Sequence, residues 1–269
     1  TPNGHRLNQT DVEIRNVGFP WSPSGVNRAL SSVGGTVAAA CAVCDVIQER
    51  RQQHGDESSI ANSSPTWSAH VAGGTHHAFY DRGEGFCVFS DIAVAANVVL
   101  EQYPDIVQRI LIIDLDVHQG NGNAVLFQGR DDVITFSMHC KKNFFSEKQS
   151  SDLDIELPEH CTDQTYLSTL SYWLKRINEE GGDYDLVFYQ AGVDIIADDR
   201  LGRMALTSKG VQKRNELISF RVPCYIDRII SSTSSSCHKT TCYIPCIISS
   251  SICCGSKGRC RIKAYRILA

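Results

Sequence analysis

Ile110-Leu-Ile-Ile-Asp-Leu-Asp-Val-His-Gln-Gly-Asn-Gly122 is an apolar run that ends in alternating ligand-type side chains. Residues two apart on an extended strand face the same way, so Asp114, Asp116 and His118 can be aimed at one point just beyond the strand's carboxyl end. Carboxylate oxygen together with imidazole nitrogen suits zinc and similar divalent cations. An Asp-x-His alone recurs by chance, and two further segments give it weight. Ser68-Ala-His-Val-Ala-Gly-Gly-Thr-His-His-Ala78 breaks at a glycine pair and delivers two consecutive histidines. Tyr184-Asp-Leu-Val-Phe-Tyr-Gln-Ala-Gly-Val-Asp194 is a buried-strand pattern that ends in a small-residue turn and a carboxylate. Ligands of open parallel sheets bind at the carboxyl edge, so His76, His77, Asp116, His118 and Asp194 are expected to converge there.

Outward from these strands, helical and extended patterns alternate. Residues 13 to 30, with Pro20, Pro23 and Gly25, read as loop and turn, and 35 to 51 as an Ala-rich helix. The aperiodic polar stretch 52 to 65 reads as a surface loop. A strand over 69 to 72 leads to the tandem histidines, and Ser90 or Asp91 caps a helix running to Leu100. Strands follow at 110–115, 133–137, 153–157 and 186–190, and helices at 121–128, 162–180 and 208–220. This order implies a parallel sheet covered by helices on both faces.

Composition narrows the function classes. The chain has 269 residues and a formal charge of −4, so it has no overall basic field to attract nucleic acid. Its apolar runs read as too short to cross a membrane, and no secretory signal opens it. It begins with Thr rather than Met, from which a missing amino-terminal segment is expected. Of its 12 cysteines, the first five are scattered through the α/β pattern, which fits thiols in a reducing, intracellular setting. Cys41 and Cys44 form a C-x-x-C, but they lie on the Ala-rich helix and read as small buried side chains rather than a redox pair.

Gly-Gly-Thr-His-His-Ala, then Asp-Leu-Asp-Val-His-Gln-Gly-Asn-Gly, then Ala-Gly-Val-Asp with Asp199-Arg-Leu-Gly202 resembles, in order and spacing, the zinc-dependent histone deacetylase family. Asp81-Arg-Gly-Glu-Gly-Phe-Cys87 and Asn121 are most similar to its class IV branch. The resemblance runs from about Glu13 to Phe220. It implies a three-layer α/β/α sandwich of the arginase and deacetylase type with a mainly parallel sheet, incomplete at its C-terminus. It also implies hydrolysis of acyl-lysine amides on histones or other proteins in the nucleus or cytoplasm. Acetylated polyamines are the alternative substrate, because they fit the same pocket. Residues 1–220 make the catalytic domain in this reading.

The resemblance also implies roles. Asp116, His118 and Asp194 are zinc ligands, and three protein ligands leave a position for water and the substrate carbonyl, as a catalytic zinc requires. His76 and His77 transfer protons, paired with Asp114 and Asn121 respectively. A neutral Asn121 orients His77 without stabilising its imidazolium, so His77 is expected to be the less basic. A second, monovalent site for potassium involves Asp114, Asp116, His118, Ser137 and Met138, and another lies near Phe127, Arg130 and Val133. Gly85, Phe86 and Gly192, with Phe144 or Phe145 opposite, line the acyl-lysine channel.

After Phe220 the character changes. Residues 221–269 carry seven cysteines, nine serines, eight Lys or Arg and one acid, Asp227, so they sum to +7 and leave −11 for residues 1–220. A metal module there lacks paired C-x-x-C spacing. The expected reading is a tail without a selected fold, disordered or non-native, leaving an open sheet edge. The family's oxyanion-stabilising tyrosine stands in a glycine-rich turn after the 208–220 helix. Tyr225, Tyr243 and Tyr265 lack that context, so a catalytically impaired product that keeps the metal and acyl-lysine pocket is the alternative function.

Overall fold

The computed structural model describes residues 11–54, 66–221, 228–230 and 246–249. The chain runs α1 (Asp11–Val17), α2 (Pro23–His54), β1 (Trp67–Ser68), α3 (Asp91–Gln102), β2 (Ile110–Asp114), α4 (Asn121–Leu126), β3 (Val133–Cys140) and β4 (Leu153–Leu157). It continues through α5 (Asp163–Glu180), β5 (Leu186–Gln190), α6 (Ser208–Arg221), β6 (Arg228–Ile230) and β7 (Cys246–Ser249). The strands form one sheet in the order β1-β6-β7-β5-β2-β3-β4, and every pairing is parallel. β2 lies between β3 and β5, in register Asp114 with Ser137 on one side and with Gln190 on the other.

The apolar runs of β2 and β5 are buried throughout because each face meets a different helical layer. Leu111 and Ile113 of β2, with Val187 and Tyr189 of β5, pack with Tyr166, Leu170, Leu174 and Ile177 of α5 and Ile218 of α6. Ile110 and Ile112, with Leu186 and Phe188, pack on Ala40, Val43, Cys44 and Ile47 of α2 and on Ile92, Ala96 and Val99 of α3. Alternation along the strand and three- or four-residue spacing along the helices thus build the α/β/α sandwich expected from the sequence. Ser90 caps α3, its hydroxyl accepting from Ala93 N at 3.4 Å.

Residues 13–30 are not the loop expected. α1 occupies 11–17, and α2 starts at Pro23, where proline suits the first helical turn. The Ser22 hydroxyl accepts from Gly25 N at 3.0 Å and caps it. Within α2, a Cβ on Gly35 would stand 2.3 Å from the His70 ring, so close packing explains that glycine. α2 also corrects the reading that no segment is apolar enough to cross a membrane. The helix Pro23–Gln53 passes by length and composition, because Ala, Val and Cys raise the mean hydropathy of one stretch within it to 1.7 without any long aliphatic run. In the fold, its Ala40, Val43, Cys44 and Ile47 are buried against α3 and the sheet.

The strand before the tandem histidines lies at Trp67–Ser68 rather than 69–72. Nor does β5 keep the open edge expected of it: β7 pairs with it from Phe188↔Ile247 to Gln190↔Ser249, and β6 adds Val187↔Arg228. A parallel edge offers unpaired N–H and C=O groups, and the Ile-rich segments 229–230 and 246–248 suit them. No helix follows β6 or β7 among the described residues. Most of 222–269, including Tyr225, Tyr243 and Tyr265, lies outside those residues. Cys41, Cys44, Cys87, Cys140 and Cys161 are free thiols, all but Cys41 buried.

Candidate metal centre and tandem histidines

The three segments meet at the carboxyl ends of β2 and β5. Asp114 closes β2, and the chain then turns so that its own side chains cap the following amides. Asp114 Oδ1 accepts from Asp116 N at 3.1 Å, and Asp116 Oδ1 accepts from His118 N at 2.9 Å. Asp194, four residues beyond β5, accepts from Val117 N at 3.0 Å. These bonds lock the carboxylates into one orientation. Ligand atoms of Asp116, His118 and Asp194 all lie within 4.8 Å of one another.

This triad fits a divalent cation. His118 Nδ1 stands 3.1 Å from Asp116 Oδ1 and 3.2 Å from Asp194 Oδ2, a nitrogen between two carboxylates. Asp116 Oδ2 is buried without a hydrogen-bond partner, a costly state that a bound cation would relieve. Burial and the neighbouring Asp116 charge raise the Asp194 carboxyl to about 6. Burial acts to lower the His118 imidazole, but hydrogen bonds to Asp116 and Asp194 outweigh it and raise it to about 10. The site therefore favours a positive charge at its centre.

Beside the triad stand two separate histidine pairs. His76 Nδ1 is 2.6 Å from Asp114 Oδ2, and His77 Nδ1 is 2.7 Å from Asn121 Oδ1, with the two rings 3.9 Å apart. Both rings are buried. Burial alone would lower the His76 imidazole, yet the Asp114 and Asp116 charges overcome it and raise it to about 9. His77 falls well below the usual imidazole range, through burial first and then through the charge of His76. A carboxylate partner and an amide partner thus separate two adjacent histidines, in the direction expected from the sequence.

Around the pairs, Gly85 and Phe145 come together. A Cβ on Gly85 would lie 2.3 Å from Phe145 Cζ and 2.7 Å from His77 Cδ2. Phe145 stands 4.9 Å from the His77 ring and Phe144 5.8 Å, the two phenylalanines stacking at 5.0 Å. Of the two aromatics, Phe145 is therefore the one against Gly85, and Phe144 backs it. Phe86 keeps φ of +67°, rare for a non-glycine residue. Its amide donates to Val17 O at 2.9 Å and that of Gly85 to Asn16 O at 3.0 Å, so the end of α1 holds this turn. Gly192 comes up against the metal-ligand candidates. It lies buried beneath Asp116, where a Cβ would approach Asp116 Oδ2 to 2.2 Å, because the β5 turn must pass close under the β2 carboxylate.

Ser137 sits beside Asp114 across the β2–β3 register. Both Ser137 and Met138 are buried, and the Ser137 hydroxyl is 3.0 Å from His139 Nδ1. Near Phe127 and Val133, the Arg130 guanidinium stacks 5.3 Å over Phe127 and pairs with Asp132 at 2.6 Å.

Sequence reading missed three supports. Asp91 is more than a helix-start residue: it accepts from Thr36 Oγ1 (2.6 Å), Gly74 N (2.9 Å), Thr75 N (2.9 Å) and Thr75 Oγ1 (2.8 Å), tying the loop before His76 to α2. Arg214 of α6 is fully buried, donating to the Gly192 carbonyl at 2.6 Å and the Leu115 carbonyl at 3.3 Å, under both strand ends. Glu84 bonds to Asn121. A charged residue inside an otherwise apolar or glycine-rich run marked Asp91 and Glu84, whereas Arg214 stands among Lys213, Asn215 and Glu216 and nothing marked it. Asp91→Ala strands four donors, and at about 1–3 kcal/mol for each buried unsatisfied group, partly relieved by relaxation, we expect a loss of about 3–5 kcal/mol. Urea unfolding checks this through a lower midpoint at unchanged slope.

Comparison with known proteins agrees with this geometry. A family model described as the histone deacetylase domain matches residues 3–234. A Picosynechococcus protein described as uncharacterized is 44% identical over 204 residues, covering 76% of this chain and 61% of its own. Histone deacetylase 2 of Arabidopsis thaliana is 30% identical over 155 residues, covering 56% of this chain and 39% of its own. The chain thus spans less than two thirds of these relatives. A solved histone deacetylase homologue from Aquifex aeolicus superposes with a TM-score of 0.51 at 26% identity, over 57% of this chain and 44% of that one.

Proposed function

From the premise that this chain belongs to the histone deacetylase family, we propose that it is built for zinc-dependent hydrolysis of acyl-lysine amides. The substrate in this reading is an acetylated lysine of histones or other proteins, met inside the cell in nucleus or cytoplasm. The observation that carries it is the pair of dissimilar histidine dyads, His76–Asp114 and His77–Asn121, beside a three-ligand cluster. Neutral His77 and protonated His76 are the base and acid that amide hydrolysis requires.

Asp116, His118 and Asp194 would hold the zinc, which when bound supplies Lewis acidity toward the amide carbonyl and the attacking water. The chain's own groups do the rest. Asn121 Oδ1 also accepts from Gly122 N at 3.0 Å, so it is an acceptor and His77 Nδ1 carries the proton. His77 Nε2 is thereby left with a lone pair that can take a proton from water. His76, its Nδ1 proton held by Asp114, is the acid that gives a proton to the departing lysine amine. Gly85 lets the Phe145 ring close over His77, an apolar wall for the lysine methylenes. Ser137, Met138 and Asp114 are the proposed surroundings of a potassium ion. Zinc-loaded protein assayed on an acetyl-lysine peptide tests the reading: release of acetate that His77→Ala cuts at least ~100-fold supports it, and release that is insensitive to this substitution rules it out.

One observation favours a second reading, that this product keeps the pocket but turns over poorly. No tyrosine after α6 stands in the glycine-rich context of the family's oxyanion donor.

A further inference from the structure

Glu84 is buried, lies in the turn that carries Gly85, and belongs to neither histidine pair. Its Oε2 accepts from Asn121 Nδ2 at 2.8 Å, and its Oε1 accepts from Ser146 Oγ at 2.8 Å. Asn121 in turn accepts, through Oδ1, from His77 Nδ1 at 2.7 Å and from Gly122 N at 3.0 Å. We propose that Glu84 is a positioning residue that orients the Asn121 amide, and through it selects the His77 tautomer with its Nε2 lone pair free. The inference rests on the function proposed above for its meaning, though not for its structural content.

An asparagine side chain has two nearly isosteric ends, one donor and one acceptor. Turned over, it would present Nδ2 to His77, whose Nδ1 would then have to be the acceptor and Nε2 the protonated nitrogen. An imidazole in that tautomer cannot take a proton from water. A carboxylate only accepts, so Glu84 holds the donor end of Asn121 to itself and keeps the acceptor end on His77. An aspartate at 121 would need no such selection, because both its ends accept. It would instead confront Glu84 as a like charge. Glu84 and the neutral Asn121 are thus a matched pair. Ser146 adds a further consequence: the same carboxylate ties the segment carrying Phe144 and Phe145 to the turn carrying Gly85, so the channel walls and the base are set by one group.

The test separates hydrogen bonding from bulk. Glu84→Met fills similar space without an acceptor, whereas Glu84→Gln can turn its amide to keep an acceptor on Asn121, with the Ser146 hydroxyl accepting instead. Long-range 1H–15N spectra of the full chain report which His77 nitrogen is protonated and require no activity. We expect Nδ1–H in the natural chain and in Glu84→Gln, and a mixture in Glu84→Met. With acetyl-lysine peptide, Glu84→Met should lose about tenfold in kcat at nearly unchanged KM, the lower end of what a misaligned base costs, and Glu84→Gln should lose little. Equal behaviour of the two variants would overturn the proposal.

Should Glu84→Met fail to fold, the decision passes to Asn121→Asp alone and combined with Glu84→Gln. The single change sets two carboxylates together, and the double change restores a donor facing an acceptor. The double variant should recover folding stability relative to Asn121→Asp, with His77 Nδ1–H kept in both. If it is no better than the single, Glu84 does not act on residue 121 and the proposal falls. Tautomer changes as expected in a chain that hydrolyses no acyl-lysine would uphold the positioning role and refute the enzymatic reading instead.

Discussion

Asp194→Ala should abolish stoichiometric metal binding, while the natural chain, dialysed against trace zinc, should retain about one divalent ion. Asp194 Oδ2 is one of two carboxylates facing His118 Nδ1, at 3.2 Å. Without it Asp116 and His118 remain, and two protein ligands do not make a tight zinc site. The same carboxylate accepts from Val117 N through Oδ1, so the alanine variant also loses a structural bond. Asp194→Asn separates the two effects, because an amide oxygen keeps the Val117 bond but lacks the charge. Metal analysis should find both variants depleted, the asparagine variant folded. Zinc at a hundredfold excess over its Kd should stabilise the natural chain by about 2.7 kcal/mol, and neither variant should show that rise in Tm. Full metal retention in both would sink the ligand assignment.

The second large effect concerns residues after Phe220. A chimera that takes this region from a full-length family member should hydrolyse acetyl-lysine peptide about a hundred- to a thousandfold faster, the usual worth of one preorganised oxyanion donor. The stability difference should be smaller than an open sheet edge would imply, since β6 and β7 already pair along β5. Turnover and urea unfolding measured side by side give both answers. Equal turnover would mean that a tyrosine among Tyr225, Tyr243 and Tyr265 serves the oxyanion and that the tail belongs to the enzyme.

Much of the site was legible because it is written in local patterns. β2 and β5 are apolar at every position, which only a sheet covered on both faces accommodates. The strand period of two was read through Asp114, Asp116 and His118, but β2 ends at Asp114, and a turn held by the Asp114 and Asp116 side chains on the amides of Asp116 and His118 aims the other two. The loop expected over 13–30 was misread for an equally local reason. Proline and glycine were taken as breakers, although Pro23 suits a helical first turn and the Gly25 amide is capped by the Ser22 hydroxyl there. The length of apolar sequence was underread similarly, since small residues make one stretch of α2 apolar on average without a long aliphatic run.

By itself, then, the sequence determined the sheet and its covering layers, because each is set by a period of two or 3.6 along the chain, while Asp116, His118 and Asp194 were named as ligands through the motifs that carry the family resemblance. The tertiary structure alone decided which neighbour each ligand and histidine meets. His77 is 44 residues from Asn121, Asn121 is 37 from Glu84, and Asp91 is 55 from Thr36. It also placed Phe145 rather than Phe144 against Gly85 and set Gly192 beneath Asp116. Contacts across such separations are fixed by how layers stack and where turns close, and no periodicity in the chain encodes them. That is why the partners of Glu84, Asp91 and Arg214 could not be named until the strand ends were brought together.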